Sequence, residues 1–199
     1  MEPGLWWWEA RHPEWSDEDD PAARGFGPEV TSYAIDDGER LLLFDPTEPP
    51  TPIAELASER EPAIVLTCPW HGRDAVGLAD RLGATIYVPP PDEHDPDPVG
   101  GELFRAGDRL PFGVRAFEGF EPIDLVLYVE SRRAVVAGDT LIDRGNGLQV
   151  HPAWPGPGVA VEEVVDRLQP LLELPVEYVL PTHSRPGDRA ALERALSPG

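Results

Sequence analysis

The feature that most constrains this chain is a recurrence of short apolar or β-branched runs, closed by turn residues and alternating with stretches of helical spacing. Glu29 to Ile35 and Arg40 to Phe44 flank Asp36-Asp37-Gly38, whose Asp-Gly step favours a tight hairpin. Ala63 to Thr67, Thr85 to Val88, Val114 to Glu118, Leu125 to Glu130, Ala134 to Ala137 and Val176 to Leu180 read as further strands. Helical spacing is expected around Ile53 to Arg60, from Asp74 to Leu82, from Val159 to Leu174 with a break near Pro170, and from Asp188 to Leu196. Two β-rich halves that each end in helices imply sheets packed together with helices outside, an α/β or α+β arrangement.

No internal repeat or domain-scale shift of composition interrupts the 199 residues, so one domain over 1–199 is expected. Its first 28 residues, with Trp6, Trp7, Trp8 and Trp15 among acids and prolines, show no clean period and read as a lead-in. Their indoles are expected to cover one end of the core, and His12 to be exposed. The run from Pro89 to Pro98 is acidic and proline-rich, an exposed loop in which His94 is solvated.

The formal net charge of -21 repels phosphate backbones and anionic lipid, which argues against nucleic acid and membrane surfaces as partners. All 16 basic residues are arginine. The single cysteine, Cys68, cannot form an internal disulfide, and no signal-like or membrane-spanning run is present, so a cytoplasmic setting is expected.

Four ordered blocks carry a resemblance. They are Leu43-Phe44-Asp45, Leu66-Thr67, Gly138-Asp139-Thr140-Leu141 and Leu180-Pro181-Thr182-His183. In order and spacing they resemble the metallo-β-lactamase superfamily, with its THxHxDH loop, GHTPGS loop, GDTL aspartate and C-terminal PxH. The resemblance implies an αββα sandwich whose pocket lies where the loops after Thr67, Glu118, Ala137 and Pro181 meet.

It also implies where metal ligands belong, and most of those positions differ here. Aligned without gaps, the three histidines of the first motif fall on Cys68, Trp70 and Arg73, its aspartate on Gly72, and the GHTPGS histidine on Phe120. Asp139 and His183 match, and are the candidate catalytic residues. Indole and phenyl rings offer no lone pair for a metal, and Arg73 places a permanent charge where a cation belongs. A guanidinium paired with Asp139 is one expectation. The other is a loop shift that brings His71 and Asp74 to Asp139 and His183, making a mononuclear site for one zinc or iron ion.

Each residue also has a plain structural explanation. Asp74 suits a helix start, Cys68 a buried small apolar position, and Asp45 a turn before Pro46. His183 can be a buried hydrogen-bonded histidine, and His151 a loop residue overhanging the pocket. Two functions follow, with metal-free nucleophilic chemistry at Cys68, assisted by His71 or His183, as a third. One is a non-catalytic relative that binds a small molecule in a pocket lined by Cys68, Trp70, Arg73, Phe120 and His151, with no metal. The other is a metallo-hydrolase acting on an ester, amide, thioester or phosphoester. Nothing in the sequence sets the oligomeric state.

Overall fold

The structure is a computed structural model that describes residues 3–92, 96–152, 154–155 and 158–197, so His94 lies outside the described residues. One six-stranded sheet runs in the order β1 (Leu5–Arg11), β2 (Glu29–Asp36), β3 (Arg40–Phe44), β4 (Glu61–Val65), β5 (Thr85–Val88) and β6 (Glu102–Leu103). The second sheet is built from β7 (Arg109–Leu110), β8 (Val114–Glu118), β9 (Leu125–Val129), β10 (Ala134–Gly138), β13 (Tyr178–Pro181) and β14 (Gly187–Asp188), with β7 and β14 at its edges. A hairpin of β11 (Leu141–Asp143) and β12 (Leu148–Val150) stands apart.

Strand alternation explains the layering. In β3, Leu42 and Phe44 point between the sheets, whereas Leu41 and Leu43 pack with Ile53 and Ala57 of α2 (Thr51–Glu59) and Ala75 and Leu78 of α3 (Ala75–Leu82). In β9, Leu125, Leu127 and Val129 face the other sheet, while Val126 and Tyr128 lie under α4 (Val161–Leu168) and α5 (Arg189–Ala195). Both faces of these strands are covered, which is why they read as unbroken apolar runs. The result is the expected αββα sandwich.

The helix expected through Leu174 ends at Leu168 and continues as a 3₁₀ segment, Gln169–Glu173. Pro170 lacks the N–H that an α-helix needs there, and its ring crowds the preceding turn. The presumed lead-in is also corrected in part. Leu5 to Arg11 pairs antiparallel with β2 as an edge strand, with Trp8 opposite Ser32. Trp7 packs on the core between the sheets, Trp6 and Trp8 on the layer beneath α2 and α3, and Trp8 Nε1 donates to Thr47 Oγ1 at 2.9 Å. Indoles on both faces hide the alternation that marks a strand. The described residues of the proline-rich loop carry no helix or strand, and among the described residues no helix is long and apolar enough to cross a membrane.

Candidate metal centre

The site forms where strand ends of both sheets meet, and Asp45 ties them together. It is buried at the end of β3 with a φ of 44°. Its Oδ1 accepts from the Thr67 N–H at 2.8 Å, and its Oδ2 accepts from Thr67 Oγ1 at 2.6 Å and Thr182 Oγ1 at 3.3 Å. One carboxylate thereby joins the ends of β3, β4 and β13, and such charge-assisted bonds are the strong ones.

After Thr67 the chain makes a 3₁₀ turn, Pro69–His71, that carries His71 inward. His71 Nδ1 lies 3.1 Å from Asp45 Oδ2, and its Nε2 lies 3.2 Å from Asp139 Oδ1. His183 Nε2 reaches the same Asp139 oxygen at 3.1 Å. Trp70 Nε1 donates to the other oxygen, Oδ2, at 2.9 Å. Cys68, His71 and Asp139 are all buried and each offers a ligand atom within 4.8 Å of the others.

Asp139 Oδ1 is buried, yet among the described residues it accepts no aligned hydrogen bond. Both imidazole nitrogens are close to it but off the axis a hydrogen bond requires. Ligands about 2.0–2.1 Å from one tetrahedral ion stand roughly 3.3–3.4 Å apart, near the two spacings seen here.

Burial disfavours charge on His71, but Asp139 and Asp45 outweigh it and hold the pKa at about 9 in the metal-free site. Burial likewise opposes the Asp139 anion, but the His71 and His183 imidazoles beside it keep its pKa well below the usual carboxylate range. Burial, then Asp139, pushes the Cys68 thiol up, and the same causes raise the Asp124 carboxyl well above its ordinary value. Burial lowers the pKa of His183.

The expected Arg73–Asp139 pair does not form. Arg73 has a φ of 35°, and its Nη1 donates to the Asp45 main-chain carbonyl at 2.7 Å. Its Nε and Nη2 are buried without a hydrogen-bond partner among the described residues. Asp74 is also not gathered into the cluster: the residue is exposed, and its Oδ2 accepts from the Glu48 N–H at 2.8 Å. The inward turn ends at His71, and Asp74 already precedes α3 on the outside.

Above Asp139 lies a cavity of ≈ 480 Å³. His71, Asp139 and His183 form its floor, and Phe26, Trp70, Phe120 and Trp154 its aromatic walls. A larger depression of ≈ 670 Å³ borders His183 from another side, but Cys68, His71 and Asp139 do not line it. His151 is buried behind the wall, stacked on Trp154 with 3.9 Å between ring centroids, so it positions Trp154 rather than lining the cavity. His12 is half-buried and not the exposed residue expected; it stacks on His183 at 6.2 Å and lies 5.3 Å from Phe26. Sequence reasoning also passed over Phe26, Trp154 and Asp124. Asp124 is buried and takes a short hydrogen bond from Thr140 Oγ1. Its one visible signal was an acid immediately before the apolar run of β9.

A two-sheet sandwich with helices outside and a donor cluster where its strand ends meet defines the class of protein. Residues 63–183 match the model of the metallo-beta-lactamase superfamily, and the chain belongs to that superfamily. Among curated proteins no relative matches. Among solved structures, TTHA1623 in a di-iron-bound form is 26% identical, with a TM-score of 0.63, covering 86% of this chain and 96% of that one. BLEG-1 B3 metallo-beta-lactamase is 17% identical, with a TM-score of 0.63 and coverage of 85% and 94%. A metallo-beta-lactamase from Pontibacter korlensis is 14% identical, with a TM-score of 0.64 and coverage of 98% and 94%. The last two likenesses are of fold alone.

Proposed function

We propose that this chain is a metal-dependent hydrolase with one rebuilt metal position, held by Cys68, His71 and Asp139 with His183 beside them. The observation that carries this reading is Asp139 Oδ1, a buried oxygen approached by two imidazole nitrogens at 3.1 and 3.2 Å, neither aligned as a hydrogen bond.

The local charge fits a divalent ion. Asp45, Asp139 and a Cys68 thiolate carry three negative charges, Arg73 one positive, and the remainder of two is what zinc or iron neutralises. Coordination deprotonates a thiol that burial otherwise keeps protonated. A second ion is not supported, because Trp70, Gly72 and Phe120 contribute no side-chain donor and Arg73 brings a cation.

When bound, a metal would supply Lewis-acid polarisation of water or of a substrate carbonyl or phosphoryl group. The chain's own residues prepare for that chemistry. Thr67 Oγ1, which donates to Asp45, lies 3.1 Å from His71 Nδ1, so Asp45 and Thr67 together hold that nitrogen and leave Nε2 to face the donor cluster, as outer partners do for metal-bound histidines. Trp70 occupies Asp139 Oδ2 and leaves Oδ1 free for the ion. The aromatic walls restrict water and admit a small molecule. The reading takes a small-molecule substrate in a reducing cytoplasm, with neither nucleic acid nor membrane as partner.

A second reading, a metal-free binding relative, is favoured by the guanidinium of Arg73 beneath the site. There a protonated His71 and Arg73 balance Asp45 and Asp139. Elemental mass spectrometry of untagged protein purified without chelator separates the two. Near-stoichiometric zinc, iron or manganese, lost in His71→Ala and Asp139→Ala, is expected. Protein that stays metal-free after reconstitution would establish the binding reading instead.

A further inference from the structure

The cavity sets aromatic walls above a floor of carboxylate and imidazole. Trp70 is 43% exposed although its indole N–H is anchored on Asp139, so its ring is held open to solvent at the mouth. Successive rings follow around the wall. Trp70 and Phe120 have centroids 6.5 Å apart at 40°, Phe120 and Trp154 6.4 Å apart at 46°, and Trp154 and Phe26 6.0 Å apart at 69°. A cation about 5 Å from each of two ring faces inclined at roughly 70° places their centroids roughly 6 Å apart, which is the arrangement of Trp154 and Phe26, while Trp70 and Phe120 extend the same aromatic wall.

The charges around the rim have the matching sign. Glu14 and Glu121 line the cavity, and among the described residues neither carboxylate forms an ion pair. Arg24, the arginine that lines it, is paired with Asp19 at 3.0 Å. The protein's net charge of -21 draws cations toward the opening.

We infer that this aromatic wall, with Glu14 and Glu121, is a subsite for an organic ammonium group, so that the molecule bound over Asp139 carries a quaternary or similarly bulky cationic nitrogen. The inference rests on reading this cavity as the substrate site. It specifies the substrate's binding end and leaves the hydrolysed bond to the floor. A neutral apolar group would fill the same walls but would gain no attraction from the two rim carboxylates.

The test is calorimetric titration of the protein as purified with choline, and with its carbon isostere in which the quaternary nitrogen is replaced by carbon. Intrinsic tryptophan fluorescence reports binding at Trp70 and Trp154 in parallel. Choline is expected to bind about tenfold tighter than the isostere, a difference typical of a desolvated cation on aromatic faces. Glu121→Gln and Trp154→Leu should each weaken choline several-fold, with Glu121→Gln leaving the isostere unchanged. Equal affinity for the two compounds, or binding of neither, would overturn the inference. Metal content measured on the same samples keeps this result separate from the hydrolase reading, because neither substitution touches Cys68, His71 or Asp139.

Discussion

Asp45 Oδ2 stands 3.1 Å from His71 Nδ1, so a carboxylate at the end of one strand orients the imidazole of a turn 26 positions later in the chain. Because Asp45 also binds Thr67 and Thr182, its replacement acts on the fold and on the site together. Asp45→Asn is expected to cost roughly 3–5 kcal/mol of unfolding free energy, the range for breaking a buried pair. It should also weaken metal binding by about 10- to 100-fold, as loss of an outer partner to a ligating histidine does. Urea denaturation and competitive metal titration measure the two effects; a variant with wild-type values in both would show that Asp45 does not organise the site.

The metal-free protein should lose stability as pH rises. Burial opposes charge on His71, but Asp139 and then Asp45 outweigh it and, against Arg73, raise its pKa in the folded chain to about 9 from 6.5. A raised folded pKa stabilises fully below about pH 6.5, and the contribution disappears as pH passes through about 9. At its largest the effect is on the order of 3 kcal/mol. Denaturation midpoints of chelator-treated protein across this window should fall, and those of His71→Gln should change much less. Parallel curves for the two proteins would contradict the assignment.

Gly138 has a φ of 52°, and a Cβ there would lie 2.8 Å from Thr67 Oγ1 and 3.0 Å from Thr67 Cβ. Gly138→Ala therefore combines left-handed strain with overpacking, roughly 2–4 kcal/mol in total. Gly38, at φ 100° with nothing within 4 Å of such a Cβ, serves as the control that has strain alone. Thermal unfolding should rank Gly138→Ala well below Gly38→Ala; equal losses would mean that the contact with Thr67 is absorbed by relaxation.

On the metal-centre reading, Asp74→Ala should bind metal as the wild type does. Its carboxylate accepts from the Glu48 N–H at the protein surface, so the expected loss is about 1 kcal/mol, the usual worth of one such bond. Metal content equal to wild type is the result to look for. Loss of the ion in this variant, with the fold intact by circular dichroism, would place Asp74 in the site after all.

Much of the fold was legible in the sequence because it depends on neighbours along the chain. The hairpin around Asp37-Gly38, the buried runs of β4, β9 and β10, and the helix starting near Asp74 all follow from turn residues and periodicity. The strand at Trp6 to Trp8 was not legible, because indoles packed on both of its faces erase the polar alternation. At the site, Asp139 and His183 could be picked out from their strand-end motifs. His71 was one of two alternatives, and Asp74 was expected beside it.

The sequence by itself determined a two-sheet sandwich, with donor-bearing loops at strand ends and aromatic rings near them. Burial and turn chemistry are local properties, and they are written in local patterns. Only the tertiary structure decided that His71 turns inward while Asp74 stays outside, and that Arg73 binds the Asp45 carbonyl rather than Asp139. It alone brought His12 and Phe26 against His183. Those outcomes depend on the 3₁₀ turn at Pro69–His71 and on Asp45 bonding to Thr182, 137 positions away. Convergence over such separations is set by packing, and no window along the chain encodes it.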